Sequence, residues 1–293
     1  MMHFLWLISM IGAVACQTAP DYGYATMSDV QGPVPPGPAN WSTIYPLCAG
    51  KLQSPINIET KKEALNSVGV PWGVTTTNCN SSIFTLVVKN SRGSEHTIND
   101  RHFAAQLHLV FYNTRYGSFS NSVDKPDGLA VLGVLISATC PGNRILGNFA
   151  RKLKKVTDEG ASINVTASDG IRLKYLMPFN NEQEDIVDDD EDDDDDDASG
   201  IDNDVDDGDN DDDDEDVDGK KKKIGYYTYR GSLTTPPCYE SVRWIVFKDK
   251  IKISNKQLGK FRNLKAQYGG APGFMCDNIR PVQPLFKTQS VLR

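Results

Sequence analysis

A run of acidic residues divides this sequence at positions 182–218 and limits what the remainder can fold into. The run holds 25 of the 39 acidic residues in the 293-residue chain and contains no Lys or Arg. Its few apolar side chains cannot bury enough surface to offset the entropy of ordering, which predicts a disordered insert. The rest of the chain has 14 acidic residues against 31 basic ones, a balance of +17. A basic body that carries an acidic insert indicates a charged partner or surface.

Residues 1–15 are predicted to be a secretory signal. The apolar run from Phe4 to Ala15 ends in small residues, as cleaved signals do. A membrane anchor is the alternative, but the run has roughly 12 residues where a span needs about 20. Secretion would allow disulfides and glycosylation of the Asn-x-Ser/Thr motifs at Asn40, Asn80 and Asn164. We therefore expect a secreted protein, with no nucleic-acid or membrane partner.

The remaining chain is predicted to form one mainly β domain from two parts, 41–181 and 219–293. A lead at 16–40 precedes it, and the Pro/Gly-rich stretch from Gln31 to Trp41 predicts no regular structure. Short runs rich in Val, Leu and aromatics predict strands. These runs are "IFTLVVKN", "AAQLHLVFY", "GLAVLGVLIS" and "VRWIVFKDKIKIS", the last as two strands with a turn between. Apolar spacing predicts two helices, from about Asn148 to Asp158 and from Asn255 to Leu264.

Five motifs in a fixed order cover most of the chain outside the signal and the insert. They are "QSPINI" (Gln53 to Ile58), "GSEHT" (Gly93 to Thr97), "LHLV" (Leu107 to Val110), "PDGLAVLGV" (Pro126 to Val134) and "GSLTTPPC" (Gly231 to Cys238). Together they resemble the α-class carbonic anhydrases. The acidic insert lies where nacrein-like proteins of mollusc shells carry theirs. The resemblance implies a largely antiparallel central sheet with short peripheral helices, here incomplete by several strands.

The resemblance also implies a set of site residues. His108 matches one of three histidines that hold zinc, which leave one coordination position for water. Thr234 matches the threonine that orients the zinc-bound hydroxide, and Glu95 the glutamate that fixes its hydroxyl. Cys48 and Cys238 match a disulfide of secreted relatives. The residues that match further polar contacts and the CO2-binding wall are Tyr229, Thr234, Thr235, Leu233, Val131, Val110 and Trp244.

Two departures from the family pattern concern the zinc. The family's H-x-H pair is absent, because the chain is shorter than the pattern by roughly three dozen residues at Ser91-Arg92, enough for several strands. Gln106 stands where the family has a glutamate that accepts a hydrogen bond from the third zinc histidine. Three explanations stay open: a truncated or mis-spliced enzyme, a scaffold that lost its activity, or His96 and His102 as substitute ligands. A buried, hydrogen-bonded histidine is the alternative role for His108.

Carboxylates are hard oxygen ligands, so the acidic insert predicts many weak Ca2+ sites, in the millimolar range of extracellular modules. The alternatives are a solubilising segment without a specific partner and a segment that lies against its own basic body. The residues with which we represent the calcium-binding insert are Asp188, Asp189, Asp190, Asp192, Asp193, Asp211, Asp212 and Asp213.

Two functions follow as alternatives. The first is a carbonic-anhydrase-like shell-matrix protein that concentrates Ca2+ or binds calcium carbonate and regulates mineral growth. The second is an active zinc enzyme that hydrates CO2 to bicarbonate at the mineralising surface. Expected partners are Ca2+, calcium carbonate and the organic shell matrix. Cys79, Cys140 and Cys276 cannot all pair with one another, which permits a disulfide-linked homo-oligomer.

Overall fold

The computed structural model describes residues 37–60, 93–139, 142–153, 176–178, 225–263, 278–286 and 289–292, and the backbone of five further short strands. The strands are β1 (Trp6–Leu7), β2 (Asn57–Ile58), β3 (Ile83–Val88), β4 (Thr97–Ile98), β5 (Ala105–Tyr112), β6 (Leu129–Ala138), β7 (Asn164–Val165), β8 (Tyr226–Gly231), β9 (Val242–Phe247), β10 (Ile251–Ile253), β11 (Lys265–Tyr268) and β12 (Ala271–Phe274). The α-helices are α1 (Trp41–Ile44), α2 (Phe119–Ser122), α3 (Arg144–Leu153) and α4 (Asn255–Arg262).

A six-stranded central sheet organises the fold. Its strands follow the order β3-β5-β6-β9-β8, and β10 also pairs with β6, beyond the end of β9. The pairs β3–β5, β5–β6 and β8–β9 are antiparallel, whereas β9 and β10 run parallel to β6. The prediction of a mainly β fold with short helices is confirmed.

The two central strands, β5 and β6, are apolar nearly throughout because both faces of the sheet are covered. Seven of the ten positions of β6 are buried, which alternation with solvent would not allow. One face packs against a cluster that includes Leu109, Val134 and Ile245. The other face packs against a cluster that includes Ile56 and Trp244. Each fully buried Leu or Ile contributes about 1.5–3 kcal/mol relative to exposure.

Helices α3 and α4 cover the first of these faces. Helix α3 directs Leu146, Ala150 and Leu153 inward at helical spacing. It begins at Arg144 rather than near Asn148 as predicted, because the Asn143 side chain accepts a hydrogen bond from the Leu146 N–H and starts the helix earlier.

Helix α4 begins at the predicted residue. Ser254 and Gln257 form a reciprocal capping box at its N-terminus. The helix ends at Arg262, two residues before the predicted end. The rings of Phe149 and Phe261 stack 5.8 Å apart, which joins α4 to α3.

The end of the Pro/Gly-rich lead is ordered, contrary to prediction. Pro38–Asn40 forms a 3-10 helix, and α1 follows from Trp41. Proline suits the first turn of a helix, because its φ is already helical and its missing N–H has no partner there. Trp41 is fully buried beside Cys48 and Cys238. These two cysteines form a disulfide with an S–S distance of 2.08 Å, so that prediction is confirmed.

Three further sheets have two strands each. They pair β1 with β7, β2 with β4, and β11 with β12. β1 falls within the predicted signal, whose other residues lie outside the described part of the chain, as does the acidic insert. No helix among the described residues is long and apolar enough to cross a membrane.

Candidate functional site

His108 lies at the middle of β5, on the sheet face that packs against Trp244. Only 4% of His108 is exposed. Its Nε2 atom has no hydrogen-bond partner among the described residues, and lies 3.9 Å from Oε2 of Glu95. A buried ring nitrogen without a hydrogen bond is costly. The alternative role predicted for His108 was that of a buried, hydrogen-bonded histidine. Nε2 does not fit that role.

His96 lies beside His108 and is held by a chain of hydrogen bonds. Its Nε2 is 2.6 Å from the Tyr229 hydroxyl, which in turn donates to Oγ of Ser54 at 2.9 Å. In the arrangement where Tyr229 donates its one proton to Ser54, His96 donates from Nε2. Nδ1 is then an acceptor, and Nε2 of Gln106 lies 3.0 Å from it. Oε1 of Gln106 accepts from the His96 backbone N–H at 3.0 Å.

The amide of Gln106 therefore hydrogen-bonds to His96. From the family resemblance we had considered this residue only as a partner of His108. An amide can donate to Nδ1 and accept from the backbone at the same time. An ionised glutamate in this position would have no proton to offer Nδ1. The glutamine thus fits a neutral His96.

Trp244 packs against both histidines and shields them from water. Its ring centroid is 4.6 Å from that of His96 and 4.9 Å from that of His108. Burial lowers the pKa of His96 to about 4. Burial, and then the nearby His96, lower the pKa of His108 to about 3. Both rings are neutral at pH 7, and neither has the pKa near 7 that suits a general acid or base.

Glu95 is 1% exposed and lies between His108 and the C-terminal segment. Its Oε1 accepts a hydrogen bond from the backbone N–H of Arg280 at 3.0 Å. Thr234, its predicted partner, lies in the connection between β8 and β9 and is 8% exposed. The roles of Glu95 and Thr234 toward a zinc-bound hydroxide remain predictions.

The Arg280 side chain is a component of this region that the sequence analysis missed. It is 2% exposed, and its guanidinium donates to Oε1 of Gln53 at 2.9 Å and to the carbonyls of Ser54 at 2.8 Å and Cys48 at 2.9 Å. It also lies over the Trp41 ring at 5.8 Å. The conspicuous "QSPINI" motif contributes two of these acceptors, but nothing in the motif indicates an arginine more than 200 residues away.

The predicted apolar wall comes together on the face that bears His108. Val131 and Trp244 are buried in one cluster, with Val110 and Leu233 packed against it. Tyr229 belongs to the same cluster. Thr235 lies in the connection between β8 and β9, where its carbonyl accepts from the Cys238 N–H at 2.9 Å. These contacts place the residues together, and their role toward CO2 remains a prediction.

The strand beside His108 determines whether a zinc site can form. β3 pairs directly with β5, so that Thr85 stands opposite His108. Ile83 and Val87 are in register with Val110 and Gln106, two residues to either side. None of these three β3 residue types is a usual zinc ligand.

His96 and His102, the other two histidines outside the predicted signal, do not complete a metal site. Both ring nitrogens of His96 are engaged by Tyr229 and Gln106. His102 is exposed, and its Nδ1 lies 2.9 Å from the Ser94 carbonyl. Within the described ranges, no group of three or more His, Cys, Asp or Glu side chains is placed to hold a metal ion. The described residues therefore do not fit a three-histidine zinc centre.

Several predicted sites fall partly or wholly outside the described residues. Asn40 is exposed at the end of a 3-10 helix, as a glycosylated residue must be. Only the backbone of Asn164 is described, in β7, and Asn80 is not described. The Asp residues assigned to calcium binding, from Asp188 to Asp213, are also outside the described part.

Comparison with known protein families gives a match over two parts of the chain. The model described as "Eukaryotic-type carbonic anhydrase" matches residues 81–186 and 215–291, more than half of the chain. The stretch between the two matched parts lies within the acidic insert. The matched parts contain Glu95, His108 and Thr234.

Proposed function

Because the chain belongs to the eukaryotic-type carbonic anhydrase family, we propose that it is a secreted, nacrein-like matrix protein that has kept the family scaffold without the zinc chemistry. Its acidic insert, 182–218, binds Ca2+ or calcium carbonate and regulates mineral growth. The proposed organisation is a signal at 1–15, a lead at 16–40 and a domain formed by 41–181 and 219–293.

The pairing of β3 with β5 is the observation that carries the loss of zinc chemistry. It places Thr85 opposite His108 and gives the neighbouring register positions to Ile83 and Val87. A catalytic zinc needs three protein ligands and one open position. One unpartnered histidine nitrogen supplies one ligand, and zinc bound so weakly would be lost during purification.

The zinc content of the folded full-length protein tests this half of the proposal. The protein is purified without chelators, and CO2 hydration is measured on the same sample. We expect well under one zinc per chain and no zinc-dependent hydration. One zinc per chain together with hydration would contradict the proposal and establish the chain as an active enzyme that supplies carbonate. A His108→Gln variant is the matched control, since it removes the one available ligand.

The composition of the insert supports the second part of the proposal, that the insert binds Ca2+. Its 25 carboxylates lie within 37 residues and have no basic residue among them. Such a segment offers many oxygen ligands but no fixed cage, and therefore many weak sites. The disulfide between Cys48 and Cys238 supports the proposed secretion, because such bonds are typical of proteins folded in an oxidising compartment.

Calorimetric titration with Ca2+ tests the calcium half. The full-length protein is compared with a variant of equal length in which every Asp and Glu of 182–218 is replaced by Asn or Gln. We expect uptake of several Ca2+ ions with millimolar dissociation constants in the first protein and almost none in the second. Equal uptake by both proteins would show that the insert is not the calcium-binding part.

A further inference from the structure

Two arginines stand directly opposite each other at the edge of the central sheet. Arg230 on β8 is in register with Arg243 on β9. Their chain neighbours Tyr229 and Trp244 pack around the histidines on the other face. Because successive strand residues alternate between faces, the arginine pair lies on the face opposite to His108.

The pair is a concentration of positive charge without a balancing carboxylate among the described residues. Arg230 is exposed, and Arg243 is half-buried. Burial, and then the charge of Arg230, lower the pKa of Arg243. Like charges that face each other across an antiparallel pair destabilise a sheet. A ligand with negative charge between the two guanidinium groups would turn this repulsion into attraction.

The row of residues that continues from the pair across the sheet is apolar. The next position in the row, on β6, is Ala130, and beyond it on β5 is Phe111. Both are half-buried, so the row ends at the margin of the core rather than inside it. Ala130 places only a methyl group beside Arg243. Two planar guanidinium forks are well suited to the oxygen pairs of a carboxylate or sulfate.

We propose that Arg230 and Arg243 together form an oxyanion-binding site, and that a carboxylate of the acidic insert occupies it in the absence of calcium. The insert ends at Asp218, eight residues before the start of β8, the strand that carries Arg230. A short tether raises the effective concentration of a weak ligand to about the millimolar range or above. The site does not require that the insert bind calcium, and it does not involve zinc.

Thermal unfolding with sodium sulfate as the probe tests the proposal. Ionic strength is held constant with NaCl, which separates site binding from screening. The proteins are the wild-type chain, Arg243→Gln, Arg230→Gln and the equal-length variant with a neutral insert, alone and combined with Arg243→Gln. Lys252→Gln is the control, because it removes one exposed cation from β10 and leaves the arginine pair intact.

We expect sulfate to raise the Tm of the neutral-insert variant and to change the Tm of the wild type much less, because the wild-type site is already filled. A ligand at free concentration c that binds only the folded state stabilises it by RT ln(1 + c/Kd), so the shift in Tm depends on how tightly free sulfate binds. Adding Arg243→Gln should weaken sulfate binding at least about tenfold, since each charge-assisted hydrogen bond is worth about 1.5–3 kcal/mol. The control should respond as the wild type does.

Two results would overturn the proposal. An equal, arginine-dependent Tm shift in the wild type and the neutral-insert variant would show that the site takes a free oxyanion and not the insert. A shift that is absent everywhere, or unchanged by both arginine substitutions, would show that no site exists. Because Arg230 is exposed, Arg230→Gln gives the answer even if Arg243→Gln fails to fold.

Discussion

Replacement of Arg280 by methionine should destabilise the protein severely, although Arg280 lies outside the strands of the central sheet. Its guanidinium donates three hydrogen bonds of 2.8–2.9 Å to the side chain of Gln53 and the carbonyls of Ser54 and Cys48. Methionine keeps most of the buried volume but offers no donor. The Glu95 contact is unaffected, because it comes from the backbone N–H.

The magnitude follows from the acceptors left behind. A buried polar group that loses its partner costs about 1–3 kcal/mol. Three acceptors at the lower end of that range give a loss of about 3 kcal/mol in the free energy of unfolding. That is a large part of the 5–15 kcal/mol by which domains are typically stable. Arg280→Lys should lose less, because an ammonium group retains some of the donors but not the planar fork.

Urea denaturation followed by tryptophan fluorescence measures this loss, with the disulfide kept oxidised. The midpoint should fall while the slope with urea stays constant, which identifies a change of stability rather than of compactness. Lys252→Met is the matched control, since Lys252 is exposed on β10 and surface changes usually stay within about 0.5 kcal/mol. A loss below about 1 kcal/mol for Arg280→Met would refute the reasoning from unsatisfied acceptors.

Three further predictions concern the buried histidines, a glycine and the disulfide. Because the pKa values of His96 and His108 are lowered from 6.5 to about 4 and about 3, the unfolded chain binds more protons than the folded chain below pH 6.5. The free energy of unfolding should therefore decrease as the pH is lowered from 6.5 toward these values, by up to about 1.4 kcal/mol per pH unit for each histidine. Urea titrations of His96→Gln should show a smaller decrease over the same pH range. Gly231→Ala should be strongly destabilising, because its Cβ would lie 2.1 Å from Oγ of Ser54, whereas Gly259→Ala, which meets open space, should be neutral or stabilising by up to about 1 kcal/mol; equal Tm values would contradict this. Reduction of the disulfide, which closes a loop with a sequence separation of 190, should cost about 4–5 kcal/mol of unfolding free energy, and an unchanged urea midpoint after reduction would contradict that estimate.

The strands were predictable because their sequences carry the reason for their burial. β5, β6 and β9 appear in sequence as nearly continuous apolar runs, which is typical of strands covered on both faces. The short motifs also predicted the disulfide, because they placed Cys48 and Cys238 by resemblance to secreted relatives. The beginning of α3 was missed, since its capping residue, Asn143, precedes the apolar spacing that we used to find the helix.

The site was predictable only where one strand determines it. His108 was expected inside a buried strand and lies there. The partners of Gln106 could not be read from the sequence, because the His96 contacts depend on how two separate segments meet. The same holds for Arg280, whose acceptors lie more than 200 residues earlier in the chain. Local periodicity contains no information about contacts of that range.

The link between Cys48 and Cys238 also determines what happens when the chain is cut. The whole acidic insert lies inside the covalent ring that this bond closes. A protease that cleaves once within 182–218 would open the ring without separating the two fragments. The nicked protein would run as a single band on a non-reducing gel and as two bands after reduction. Proteolytic trimming could thus shorten the insert while both halves of the domain stay in one molecule.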